Sequence, residues 1–513
     1  MYQRFSEVPL DFLVAISPVL FITALILIFR TGIILTGFAG LLFTASIVHF
    51  YFATTLKVVA LSVLDGVLTT LPVILVVYTG ILLAEILVST GSLKRMGGLI
   101  LGRVHSRLGK AVILSFGLSN ILEGMGIIAE PLTAPLCYEE GFSPEDSAIL
   151  SIWGYSALLT LEFAGIILTV LSFATGISIE NLVLPVTLFS IAGSLIMFLL
   201  LPFVLEEGEW KKKDMILLTA SPLILGLFVS LSVKYITYKM AGVFGGGAVL
   251  LFLTLYERTS PLSESRDMGK REKLSPWEWF PYLLILLLFL GINLISPIKK
   301  GISEYFTLSL SVVRSHTISV NPLTDIYTYL FLASLCGVLA GGGKVGDIYP
   351  FLKKNFPKGS RAAIAMALFG AMGQVISFSG FDPQFSSVTP SSNMAVLIAK
   401  GLYRHTGIFY LLFIPLLGWS GTFLTGYGIA SIMLFGKLQV SIAPLLGLNP
   451  AIAVSVLAVG AGVGSISSPF KVAIATPLCN GVGKEPLILR KTIPAGIVTS
   501  LLLGVALFFY RFY

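Results

Sequence analysis

The sequence predicts an all-α polytopic membrane protein with about 12–15 transmembrane or re-entrant helical segments. Three observations predict it. Of 513 residues, 56% are hydrophobic and only 12% charged, against about 25% charged in a soluble domain. Apolar runs of roughly 20 residues, enough to cross a ~30 Å hydrocarbon layer, recur from end to end, and the mean hydropathy is +0.93. The runs lack the two-residue alternation of membrane strands and are too long for them, which excludes a barrel. The same figures exclude a disordered, collagen-like or disulfide-stapled chain.

In order, the spans read as 10–29, 32–52, 63–88, 111–137, 147–174, 181–205, 214–233, 241–256, 277–295, 327–343, 361–380, 393–416, 418–437, 447–480 and 493–511. The first is too long for a signal h-region, lacks an A-x-A site and meets a second apolar run, so it reads as a span. The chain reads as one membrane domain over 1–513, in a multi-pass cell (plasma) membrane protein. Its parts are repeat one over 60–205, divergent middle spans over 206–360 with a cytoplasmic loop at 257–276, repeat two over 361–492, and a terminal span over 493–513.

The net charge of +8 fits basic cytoplasmic loops facing anionic lipid, not nucleic acid. Lys94, Arg95, Arg103, Arg107 and Lys110 form one such loop, Lys211–Lys213 and residues 258–273 further ones, and 344–361 another. Single crossings at 111–137, 147–174 and 181–205 would put Lys211–Lys213 on the wrong side. One of the two long segments, 111–137 or 147–174, is therefore expected to break or re-enter. Both carry Gly or Pro inside. Cys137, Cys336 and Cys479 lack metal spacing and read as packing residues.

An internal repeat falls on the same place. Leu122-Glu123-Gly124-Met125-Gly126 is echoed by Leu424-Thr425-Gly426-Tyr427-Gly428, and Gly141-Phe142-Ser143-Pro144 by Gly447-Leu448-Asn449-Pro450. Ten positions after each Pro comes a glycine, Gly154 and Gly460. Paired, glycine-interrupted segments in two halves point to a secondary transporter built from repeats of inverted topology, with its binding site at the breaks.

At these residues the chain resembles the L-lactate permease family, over roughly residues 60–180 and 410–492. The matching stretches include Ser89-Thr90-Gly91, Leu122-Glu123-Gly124 with Pro131, Gly141-Phe142-x-Pro144, and Gly165 with Gly176. In the second half they are Leu417-Gly418-Trp419, Phe423-Leu424-Thr425-Gly426, Ser468-Pro469 with Ala473-Ile474-Ala475, and Val482-Gly483-Lys484-Glu485. The resemblance implies import of lactate or glycolate by proton symport. The chain departs from the family at Ile127-Ile128-Ala129, Tyr155-Ser156, Glu162, Tyr427-Gly428 and Ile432. It also has Ser465 in place of a lysine and Lys471 in place of a small polar residue.

Ionisable groups inside a bilayer cost roughly 2.5–3.5 kcal/mol each on insertion scales, so they persist mainly where they act. Glu123, Glu130 and Glu162 are the candidate proton-coupling residues, Glu123 first. Glu123 and Glu130 are two helical turns apart and share a face if the helix is continuous, or flank the break if it is not. The alternative for each is a capping or helix-pairing acid. Asp65 and Glu85 are expected at an interface. A monocarboxylate needs donors and positive potential. Gly460, Gly462 and Gly464, followed by Ser465, Ser467 and Ser468 before Pro469, offer an unwound backbone, capping hydroxyls and a helix start. Lys471 could add a full charge, or could snorkel or pair with an acid. Gly124, Gly126, Tyr155, Ser156, Thr425, Gly426 and Gly428 complete the candidate substrate site, although glycines also serve close helix packing.

Enzyme motifs do not fit. Gly341-Gly342-Gly343-Lys344 is no P-loop, His49, His105, His316 and His405 form no zinc site, and no cofactor or metal is implied. Gly418-Trp419-Ser420-Gly421 imitates the motif of an intramembrane serine protease, which would need a histidine deep in a second helix. That protease is the distant alternative. Transport of another organic anion, or Na⁺-coupled carboxylate transport, is the nearer one. The partners expected are a small organic anion, protons and lipid, with a homo-oligomer left open.

Overall fold

The computed structural model describes residues 8–92, 104–205, 212–258 and 295–511, save positions 28, 30, 32, 105, 315, 324, 427 and 482, together with Arg95, 287–288 and 291–292. The expected loop at 257–276 lies outside the described residues from 259 onward, its first two positions ending the helix before it. Most of the expected span at 277–295, the basic residues Lys94, Arg103 and Lys211, and Tyr427 lie outside them too.

Helices dominate, as the long apolar runs require. They are α1 (Val8–Leu27), α2 (Ile33–Ser46), α3 (Leu56–Ser89), α4 (Arg107–Val112), α5 (Ser119–Gly124), α6 (Glu130–Glu139), α7 (Pro144–Trp153), α8 (Ile166–Thr175), α9 (Ile179–Val204), α10 (Lys212–Leu231) and α11 (Ala241–Arg258). After α12 (Ser296–Phe306) comes a two-stranded antiparallel hairpin, β1 (Leu308–Val313) and β2 (His316–Val320), which the span reading does not anticipate. Then follow α13 (Ile326–Ala340), α14 (Ile348–Ser377), α15 (Met394–Thr406), α16 (Tyr410–Thr425), α17 (Gly428–Ile442), α18 (Pro450–Val463), α19 (Pro469–Ala475) and α20 (Glu485–Tyr510). Among the described residues, 7 helices are long and apolar enough to cross a membrane, up to 9 if each of two bent pairs is one span. Four shorter apolar helices accompany them.

Both long segments in the parity argument are interrupted. After α5 the chain closes with Gly126 at φ +80°, Ile127 N donating to Leu122 O (2.8 Å) and Gly126 N to Glu123 O (2.9 Å). This paired capping terminates a helix because glycine takes the left-handed conformation without steric cost. The other segment runs from α7 into a 3-10 turn (Ser156–Leu161), passes through extended Glu162, and resumes as α8, bent by 50°.

The second half repeats this order of conformations. Helix α16 ends at left-handed Gly426, and α17 leads to left-handed Gly447, the counterpart of Gly141. The Ser143 hydroxyl caps α7 by accepting from Asp146 N (3.1 Å), and the Asn449 side chain caps α18 by accepting from Ala451 N (2.9 Å). Each helix then starts on proline, whose missing N–H costs nothing in a first turn. Helix α18 passes into a 3-10 turn (Gly464–Ser467), then extended Ser468, then α19. Helices α9 and α20, each 26 residues long, close the two halves.

Burial separates centre from rim. Of the span at Pro450–Ser467, 89% is buried, against 50% for Ile179–Val204 and 44% for Ile216–Ile236. The outer helices show Leu184, Leu223 and Phe203 outward, the surface that lipid covers. The broken segment that begins with α7 and the one that begins with α18 cross each other in this core. A Cβ on Gly462 would lie 2.3 Å from the Ser156 carbonyl oxygen, and Thr160 Oγ1 donates to Ala458 O (3.1 Å).

Candidate functional site: a buried ion pair between two broken helices

The sequence places its acids on repeat one and its lysine on repeat two, and the fold joins them. Glu130 is the first residue of α6, after the break, and Lys471 is the third of α19, after the other break. Lys471 Nζ lies 2.8 Å from Glu130 Oε1, with the Glu130 side chain fully buried and Lys471 8% exposed. Tyr155 is also buried, and its hydroxyl donates to the same oxygen (2.7 Å). Its ring lies 5.4 Å from the Lys471 ammonium. The other oxygen of Glu130 has no hydrogen-bond partner among the described residues.

Glu123 and Glu130 do not share a helix face: they flank the break. Glu123 Oε1 accepts from Ala129 N (2.8 Å), fastening the end of α5 to the start of α6, while Oε2 is unpartnered. Glu162 occupies the extended residue after the 3-10 turn. It is fully buried, and neither oxygen has a hydrogen-bond partner among the described residues. It packs on α11, where a Cβ on Gly242 would meet Glu162 Oε1 at 3.0 Å. All three carboxyl groups are within electrostatic reach of Lys471, Glu130 most strongly.

The remaining candidates divide. Ser465 and Ser468 are buried with unpartnered hydroxyls. Ser467 is engaged, accepting from Trp419 Nε1 (3.2 Å) and donating to Thr492 O (2.9 Å). Ser156 bonds back to Ile152 O (2.6 Å). Gly124 packs on α11, with Val243 N 2.7 Å from an added Cβ, and Gly126 makes the turn. Gly426 is left-handed and abuts Phe470, while Gly428 opens α17 near Leu159. Thr425 ends α16, and its side chain lies outside the described set. Helix α19 has seven residues, too short for the end-charge expected of a half-helix, so the positive charge here is that of Lys471.

Asp65 is fully buried within the protein and accepts from Gln374 Nε2 (2.9 Å) on α14. Glu85 does lie near the surface, paired with Lys354. The sequence reading also missed Thr422, a buried hydroxyl without a partner beside Gly464, and the glycine face of α11 that seals Glu162. In the protease-like motif, Ser420 Oγ donates to Leu417 O (2.9 Å).

A multi-pass membrane protein whose interrupted helices cross in its core, with a buried ion pair joining residues that follow two of the breaks, has the build of a transporter. The chain belongs to the L-lactate permease family, whose model matches residues 11–512. An L-lactate permease of Streptococcus iniae is 26% identical over 463 residues, covering 85% of this chain and 92% of that one. The glycolate permease GlcA of Escherichia coli (strain K12) is 22% identical over 563 residues, covering 98% and 96%. Among solved structures, the Alcanivorax borkumensis YdaH transporter aligns with a TM-score of 0.45 at 15% identity, over 88% of this chain and 87% of that one. The family is one of permeases, not enzymes, and this chain is a multi-pass membrane transporter of that family.

Proposed function

We propose that the protein imports lactate or glycolate together with a proton, and that Lys471 is the group the substrate carboxylate binds. The observation that carries this is the Lys471–Glu130 pair. One ammonium compensates one carboxylate, so a bound anion and an ionised Glu130 compete for it. Two carboxylates on one buried cation would leave an unbalanced charge in a region shielded from water, which costs several kcal/mol. A proton on Glu130 removes the competitor, frees Lys471 for the anion and keeps the charge of the site constant. Anion and proton then enter together, one for one.

Glu130 replaces Glu123 as the first proton carrier in this scheme, because Glu130 alone of the three shares the Lys471 hydrogen bond. Glu123 keeps the break closed through Ala129. Glu162, with both oxygens unpartnered, is the further proton site. The two halves, if related by inversion, would expose the same site to either face in turn.

Uptake of labelled lactate into proteoliposomes tests this. An inward proton gradient should drive accumulation and a Na⁺ gradient should not. Glu130→Gln should still exchange lactate in counterflow but lose uphill uptake. Accumulation by Glu130→Gln against a gradient would remove that residue from the coupling. Accumulation driven only by Na⁺ would replace the proton with that ion.

A further inference from the structure

The break that carries Lys471, together with the helix packed against it, holds three buried hydroxyls with no hydrogen-bond partner among the described residues. Thr422 Oγ1, Ser465 Oγ and Ser468 Oγ are buried and unpartnered. A buried serine or threonine on a helix ordinarily bonds back to a carbonyl one turn earlier. Ser156, Ser455 and Thr499 do so here. Like Thr422, Ser465 and Ser468, however, Ser115, Ser190, Ser194, Ser221, Thr492 and Ser500 are buried without a hydrogen-bond partner among the described residues. It is their place on and against the segment that carries Lys471 that sets the first three apart. Thr422 lies on α16 and forgoes that bond. Ser468 stands at the N-cap of α19 and does not cap it.

The three lie on or against the segment that leads into the lysine. A Cβ on Gly464 would lie 2.7 Å from Thr422 Cβ, which sets Thr422 against the residue before Ser465. Ser468 N donates to Ser465 O (3.2 Å), and Lys471 follows Ser468 by one helical turn. The neighbouring Ser467 is not available, since Trp419 and Thr492 hold it.

We propose that Thr422, Ser465 and Ser468 form the subsite that recognises the 2-hydroxyl of a 2-hydroxy monocarboxylate. The proposal rests on the reading of Lys471 as the carboxylate site. In such an acid the hydroxyl is on the carbon next to the carboxylate, so the groups that read it must adjoin the group that holds the charge. A hydroxyl both donates and accepts, and a set of protein hydroxyls can meet both needs. A plain monocarboxylate of the same length leaves them buried and unpaired, which is how a polar site rejects an analogue that lacks the group.

Counterflow of labelled lactate in proteoliposomes, competed by unlabelled lactate or propionate, separates the possibilities. In the wild type, lactate should compete at a concentration at least about tenfold lower than propionate, as expected for a site built to hydrogen-bond a hydroxyl. Thr422→Val, and separately Ser465→Ala and Ser468→Ala, should bring the two within about twofold by weakening lactate. The serine variants keep the test valid if the Val variant fails to fold, and size-exclusion profiles identify such a failure. Equal competition by lactate and propionate in the wild type overturns the subsite while leaving the carboxylate site standing. So does parallel weakening of both competitors in all three variants. Absence of counterflow for every monocarboxylate instead removes the reading beneath it.

Discussion

Lys471 and Glu130 are a buried pair in which each partner makes the other tolerable. Deleting one side of such a pair leaves an uncompensated charge, at a cost of about 3–5 kcal/mol. Lys471→Met should therefore lower the thermal midpoint of the detergent-solubilised protein markedly. Lys471→Met combined with Glu130→Gln should recover most of that loss, because the double variant buries no net charge, yet it should bind no lactate. A double variant no more stable than Lys471→Met would show that the pair does not set the stability of the crossing. The sequence displays these residues plainly, since a charge inside an apolar run stands out. It does not display their pairing, which joins positions on different repeats. Gln374 was hidden for the same reason: its partner, Asp65, is 309 positions away. Thr422 was hidden for a different one, because a lone hydroxyl on a membrane helix has no pattern to mark it.

At the scale of the element, the glycines ten positions after each proline do a job that the motif alone did not reveal. A Cβ on Gly154 would lie 1.9 Å from the Ser115 carbonyl oxygen, and one on Gly460 would lie 2.1 Å from that of Pro415. Gly154 is thus the point where α7 crosses the helical run that leads into α5, and Gly460 the point where α18 crosses α16, backbone against backbone. Neither obstacle is a flexible side-chain end, so neither can yield cheaply. Gly154→Ala and Gly460→Ala should each abolish monodisperse protein on size exclusion. Gly247→Ala, with nothing within 4 Å of the added carbon, should be tolerated and gain up to about 1 kcal/mol of helix propensity. Good yield of Gly154→Ala would mean that the crossing is looser than its backbone contact indicates. The breaks were legible because glycine and proline punctuate chains by known geometry. The seat of α11 on α5, made by Gly242 and Gly246 against Asn120, was not. Glycines within an apolar helix say only that something approaches closely, not what.

Across the whole molecule, α6, α7 and α19 lead from the ion pair towards a common set of charged residues. There Lys484 Nζ meets Glu145 Oε1 at 2.8 Å and Lys491 Nζ meets Asp146 Oδ1 at 3.8 Å. Both bridges join the first turn of α7, in repeat one, to the start of α20 and the residue before it. Lys110 Nζ and Glu140 Oε2, at 2.5 Å, brace the end of α6 nearby. In both bridges to α7 the acid is buried and only the lysine is partly exposed. Water therefore reaches the lysine side of each pair, and the bridges can be broken and remade in a transport cycle. If the site communicates with this face, α7 and α20 must part here. With Cys137, Cys336 and Cys479 first replaced by serine, Glu145→Cys and Lys484→Cys can be joined by a reducible bifunctional thiol reagent. A spacer is needed, because the Cα atoms of a disulfide lie within about 7 Å of each other. The joined protein should still bind lactate, since Lys471 is untouched, but should not complete counterflow, and reductant should restore it. Full-speed counterflow with the link intact would show that this face stays closed throughout the cycle. The moving parts would then have to be sought where α14 meets α3 around Asp65.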